Sequence, residues 1–170
     1  MRTRLTSPMV VLFAFGLAGP LGVLRASPAS GDTLVSFTAV LNAAQETPPG
    51  TSNSQGVALV LLDKDTSKVC YRLSYSALAG TEFAAHFHAP GAPGVSAPII
   101  AGIDPPIGSP KHGCVQFTKD QVKQLNKGLV YLNVHSDVAP GGEIRGQVLP
   151  GGIKYTKQTE PASPSGAFLE

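Results

Sequence analysis

The chain has 170 residues, 13 basic and 11 acidic, and a formal charge of +2. Three of the basic residues (Arg2, Arg4, Arg25) precede residue 30 and none of the acidic ones do, so the remainder has 10 basic against 11 acidic residues and a formal charge of −1. That balance argues against a nucleic-acid footprint, and no second apolar run of membrane-spanning length follows residue 30.

The N-terminus joins a basic start at Arg2 and Arg4 to an uncharged run from Pro8 to Leu24, with small residues at Ala26, Ser27 and Ala29. These are the three parts of a secretory signal peptide, predicted over residues 1–29. A membrane anchor is the other reading. Gly16, Gly19, Pro20 and Gly22 interrupt the run, whereas a spanning helix wants roughly 20 apolar residues. The expected location is therefore secreted or periplasmic, with no stable membrane insertion once the signal is removed.

Residues 30–150 carry repeated short runs of alternating apolar positions: Thr33–Asn42, Gly56–Asp63, Lys68–Tyr75, Glu82–Ala89, Ala97–Ala101, Gly113–Thr118, Leu129–Ser136 and Glu143–Leu149. Turn clusters rich in Gly and Pro separate them, among them the rigid turn Thr47-Pro48-Pro49-Gly50. Short strands at near-regular spacing predict an all-β domain, an antiparallel Greek-key sandwich or barrel. One short helix is predicted over Thr118–Lys127. Thr118 and Gln121 have the spacing of a capping box, Val122 and Leu125 share a face, and Gly128 suits the stop. Residues 151–170 lack a sustained period and read as a flexible tail. Cys70 and Cys114 are the two cysteines. In an oxidising compartment they are expected to pair; two buried thiols are the alternative.

The chemistry concentrates in four histidines: His86, His88, His112 and His135. His86 and His88 are two apart in a predicted strand and share a face, with Phe83, Ala85 and Phe87 opposite. His135 groups with Tyr131 and Asn133 against Val130, Leu132 and Val134. His112 groups with Cys114 and Gln116. Two imidazoles at i, i+2 can reach one metal ion, and a third from another strand completes a nitrogen set suited to Cu(II) or Zn(II). The competing reading is surface or turn-packing histidines. Asp104 and Asp137 read as turn residues. No nucleophile elbow, phosphate-binding glycine loop or carboxylate pair is visible.

Four segments together resemble the CHRD domain, the repeat first named from chordin: the stretch over 37–63 with NAAQETPPG, AAHFHAP (84–90), LVYLNVHS (129–136) and PGGEIRGQV (140–148). The resemblance spans Thr33 to Pro150 and implies an extracytoplasmic β-sandwich, immunoglobulin-like or superoxide-dismutase-like. By a more distant likeness to copper–zinc superoxide dismutase, His86, His88 and His135 would ligate copper, with zinc the lesser alternative, and Arg145 would guide an anion. A structural role at a strand end is the other reading of Arg145. His112 is the one spare imidazole, in a segment that departs from the dismutase pattern, and no further set of histidines plus an aspartate for a zinc site is evident. The resulting expectation is an exported binding protein that holds copper through three histidines. The alternatives are a dismutase-like copper enzyme and a metal-free module that binds an extracellular or periplasmic protein.

Overall fold

A computed structural model describes residues 33–105 and 107–156; the expected signal peptide and residues 157–170 lie outside these. The strands are β1 Thr33–Asn42, β2 Gln55–Asp63, β3 Lys68–Ser76, β4 Glu82–His88, β5 Ile99–Gly102, β6 Lys111–Gln116, β7 Tyr131–Ser136, β8 Ala139–Gln147 and β9 Leu149–Thr156. A 3-10 turn at Ala43–Gln45 follows β1, and helix α1, Lys119–Asn126, joins β6 to β7. Among the described residues no helix is long and apolar enough to cross a membrane.

The fold is all-β, as the alternation predicts. One antiparallel sheet runs in the order β5-β4-β7-β8-β1-β2-β3-β6, with β9 paired to β1. It curls into a nearly closed barrel around one apolar core. Phe37, Ala39 and Leu41 from β1 meet Ala58, Val60 and Leu62 from β2, Val69 and Leu73 from β3, and Leu132 and Val134 from β7. Each set alternates by two along its strand, so one face is buried. The seam between β5 and β6 is bridged from inside, where Lys111 Nζ of β6 meets Glu82 Oε1 of β4 at 2.9 Å.

Helix α1 forms as its sequence predicts. The Thr118 side chain accepts from Gln121 N at 3.2 Å, and Gln121 Oε1 accepts from Thr118 N at 2.7 Å. Leu125 is its fully buried residue. The two cysteines are joined as a Cys70–Cys114 disulfide. They lie directly opposite each other in the β3–β6 ladder, on the outward side of the sheet, with Cys114 exposed.

Three local expectations change. The tail does not begin at Gly151: β9 continues to Thr156 and pairs with the first half of β1, Thr33↔Thr156 to Val35↔Lys154. Two glycines and a proline in LPGGIKYT mask the alternation there, yet the outer backbone groups of β1 still require partners. Strand β8 starts at Ala139, inside the cluster read as a turn. Phe83 does not share a face with Ala85 and Phe87. A β-bulge between Glu82 and Ala84 shifts the register. Glu82 is thereby placed inside the barrel and Phe83 outside, 48 % exposed.

Candidate metal centre

Strands β4 and β7 pair with His86 opposite Asn133, His88 opposite Tyr131 and Ala84 opposite His135. Side chains with this parity leave the barrel core and stand on the outer face of the sheet. There His135 is the diagonal neighbour of His86, and His86 is two residues from His88. The three rings converge, with centroids 4.9 Å apart for His86 and His135, 5.7 Å for His86 and His88, and 6.0 Å for His88 and His135. One nitrogen from each lies within 4.8 Å of the others.

This outer face is nonetheless buried, because two loops fold over it. The loop after β4 is tied down at successive points. His88 Nδ1 donates to Ala97 O at 2.9 Å, and Ala97 N donates to the Tyr131 hydroxyl at 3.0 Å. Arg145 Nη2 donates to Ala92 O at 3.0 Å, and Gln147 Nε2 donates to Gly91 O at 2.8 Å. The loop after β1 is held by Arg145 Nη1, which donates to Thr47 Oγ1 at 3.3 Å. His88 and His135 are each 7 % exposed; His86 is half-buried.

The hydrogen bonds fix the tautomers. A carbonyl oxygen only accepts, so His88 Nδ1 carries a proton toward Ala97 O, and His135 Nδ1 carries one toward Pro140 O at 3.0 Å. Both Nε2 atoms therefore hold lone pairs. His135 Nε2 accepts from His86 Nδ1 at 3.1 Å, while His88 Nε2 is buried with no partner among the described residues. A buried unpaired ring nitrogen is costly unless something else occupies it. Burial pushes all three imidazoles below their ordinary range. The mutual charge of the neighbouring rings pushes His86 and His88 further the same way, and for His88 and His135 the carbonyl bond to Nδ1 opposes the shift. The cluster is thus a set of neutral nitrogen donors. Two nitrogens on one ion stand about 3 Å apart when each bond is near 2.0–2.1 Å, so the His86–His135 pair already has that separation. His88 stacks on Tyr131, ring planes 2° apart and centroids 4.8 Å apart, which holds its orientation.

His112 does not join the cluster. It is exposed on β6, opposite Arg72, and its ring is not in the group where the other three converge. Arg145 lies near the site. It is 2 % exposed, its guanidinium carbon sits 3.5 Å from the Tyr131 ring centroid, and it binds both covering loops. In this position it braces the face.

Other polar residues around the site carried no sequence signal of their own. Glu46 is buried beside Arg145 and Asn133. Burial raises its carboxyl to about 7 against the opposing pull of Arg145, the Thr47 amide and Asn133. Glu143 is buried too. Burial pushes its carboxyl up, but the nearby Ser136 hydroxyl and hydrogen bonds from the Ser54 and Ser52 hydroxyls and the Ala79 amide outweigh this and hold it at about 2. It anchors the loops before β2 and after β3. Gly142 has φ +133, and a Cβ there would stand 2.4 Å from the Asn133 amide and 2.7 Å from Glu46 Oε1. Asp137 is a turn residue, as read, with its carboxylate accepting from Thr81 N at 2.8 Å.

Fold and site together define a nearly closed antiparallel β domain with a disulfide and a buried three-imidazole cluster on its outer face. The sequence profile of the CHRD domain matches residues 37–148, and the chain belongs to the CHRD domain family. No curated protein and no solved structure matches it.

Proposed function

We propose that this CHRD domain is an exported metal-binding protein that holds one copper ion through His86, His88 and His135. The observation that carries the reading is the convergence of three neutral imidazole nitrogens, two of them with their lone pairs aimed by backbone carbonyls. A carbonyl that accepts from the other ring nitrogen fixes the tautomer and orientation of a ligating histidine. The donor set contains nitrogen alone, which suits copper and, less selectively, zinc. Copper would supply redox chemistry or a stored, exchangeable cation. The chain supplies the rest: His88 and His135 offer Nε2, His86 offers Nδ1 after giving up the proton now directed at His135, and the two loops keep bulk water off the face. An extracytoplasmic compartment accords with the disulfide.

The test is metal content after copper loading and desalting. One copper per chain is expected for the wild type and for His112→Ala, with loss in His88→Ala. A wild type that retains no copper would sink the proposal. Superoxide decay measured on the loaded protein separates a binding role from the dismutase-like alternative.

A further inference from the structure

The Cys70–Cys114 disulfide lies outside the core and on different strands from the three clustered histidines. The two cysteines are directly opposite each other in the β3–β6 ladder. The flanking pairs on the same outer face are Arg72 opposite His112 and Lys68 opposite Gln116. Cys114 is exposed and Cys70 is half-buried. On the β2 side Cys70 is opposite Leu61 and Arg72 is opposite Leu59. These four residues, with Tyr71, line a shallow groove of about 250 Å³. Lys68 faces Asp63 across the same ladder, which offsets its charge. Arg72 has a leucine and a histidine as its cross-strand neighbours. No acidic residue stands opposite its guanidinium, which lies about 7 Å from Cys70 along β3.

Thiol–disulfide exchange proceeds by thiolate attack on one sulfur and expulsion of the other as a thiolate. Access to the attacked sulfur and stability of the leaving thiolate set its rate. Cys114 offers the access. The in-line approach to Cys70 comes from the β2 side and crosses Leu61, whereas Cys114 belongs to β6, which ends the sheet order. A thiolate left on Cys70 shares its face with Arg72, and a neighbouring cation stabilises a thiolate. The bond can also open without opening the domain. Strands β3 and β6 remain paired through their backbones from Lys68↔Gln116 to Leu73↔Lys111, and Val69, Tyr71 and Leu73 hold the inner face of β3 in the core.

We propose that Cys70–Cys114 is a redox-active disulfide that exchanges with an external dithiol while the domain stays folded. One thiolate of the dithiol attacks Cys114 Sγ. A new S–S bond forms there, the Cys70–Cys114 bond breaks, and its electron pair leaves on Cys70 Sγ, which takes up a proton from water. The second thiol of the dithiol loses its proton and attacks the dithiol sulfur of the mixed disulfide. The electron pair of that bond leaves on Cys114 Sγ, which is protonated in turn. The dithiol is oxidised to a disulfide and the two cysteines are reduced to thiols. The site does not depend on the metal reading, and EDTA-treated full chain is used so that copper cannot reoxidise the thiols. The probe is dithiothreitol without denaturant. Alkylation and mass spectrometry count the thiols, and far-ultraviolet circular dichroism follows the fold. Both cysteines should be reduced with the spectrum unchanged, at a rate that low urea does not raise. Arg72→Gln should slow the reaction about threefold, the factor for one unit charge about 7 Å away in a water-like dielectric, and Arg72→Lys should restore it. Glutathione trapped as the mixed disulfide should be found on Cys114. Reduction that requires unfolding, an unchanged rate in Arg72→Gln, or glutathione on Cys70 would each overturn the assignment.

Discussion

At the barrel seam, Lys111 and Glu82 are both buried inside the apolar core. On the outer face of β4 and β7, His86, His88 and His135 are packed under two loops. Both clusters put polar groups where water is scarce, but they satisfy them differently. Lys111 Nζ meets Glu82 Oε1 at 2.9 Å and donates to Pro105 O at 2.7 Å. Glu82 Oε2 accepts from the Tyr75 hydroxyl and from Gly108 N at 2.6 Å. The charges cancel within the cluster. The histidine face instead keeps a lone pair at His88 Nε2 with no partner among the described residues, although its surroundings are otherwise locked. The seam cluster supports the fold, whereas the histidine cluster gathers three ring nitrogens on one face.

That contrast can be broken by mutation. The largest effect is expected at the seam. Lys111→Met strands a buried carboxylate and should cost about 3–5 kcal/mol, read from urea unfolding. A cost under about 1 kcal/mol would mean that the pair behaves like a surface ion pair. Replacing both Cys70 and Cys114 with alanine removes a cross-link spanning 44 residues and should cost about 2–4 kcal/mol. Mass spectrometry of the native protein should show two hydrogens fewer than the reduced chain; two free thiols would contradict the bond.

Glu143 tests the same comparison by pH. Its carboxyl is held at about 2 against an ordinary 4.5, so the unfolded chain takes up the proton first as pH falls. The stability it contributes is complete above about pH 5 and is lost between there and pH 2. Glu143→Gln should flatten that part of the stability profile; an acid limb of unchanged slope would show that other carboxylates set it. The smallest stability effect belongs to the histidines. In metal-free protein His88→Ala should cost under about 2 kcal/mol, because the ring it removes carries an unpaired buried nitrogen. A loss as large as that of Lys111→Met would place His88 with the structural cluster.

Much of this was legible in the chain, for physical reasons. Alternation by two reports which strand face is buried, so the core rows of β1 to β3 and the shared face of His86 and His88 follow from parity. The capping box at Thr118 and Gln121 is local, and so was the helix. What escaped were features set by pairing. The bulge at Phe83 depends on the register against β7. The β9 pairing depends on the vacant edge of β1, and its own glycines hide the pattern. Glu82 and Lys111 are 29 positions apart, and nothing local says that their strands approach across a seam. His112 has the same outward parity as the other histidines, but parity does not say which rings meet, and its ring is not in their group. Covering of the histidine face by loops was also invisible, and the late GGEIRG run explains it only in retrospect. There Glu143 anchors loops, Ile144 fills the core and Arg145 braces the loops from beneath.

Electron paramagnetic resonance of the copper-loaded protein tests the central claim most directly, because nitrogen hyperfine structure counts the imidazoles on the ion. The account predicts coupling to three histidine nitrogens in the wild type and in His112→Ala, with the pattern lost or reduced to two in His86→Ala, His88→Ala and His135→Ala. A wild-type spectrum without histidine nitrogen coupling, or one left unchanged by His88→Ala, would contradict it.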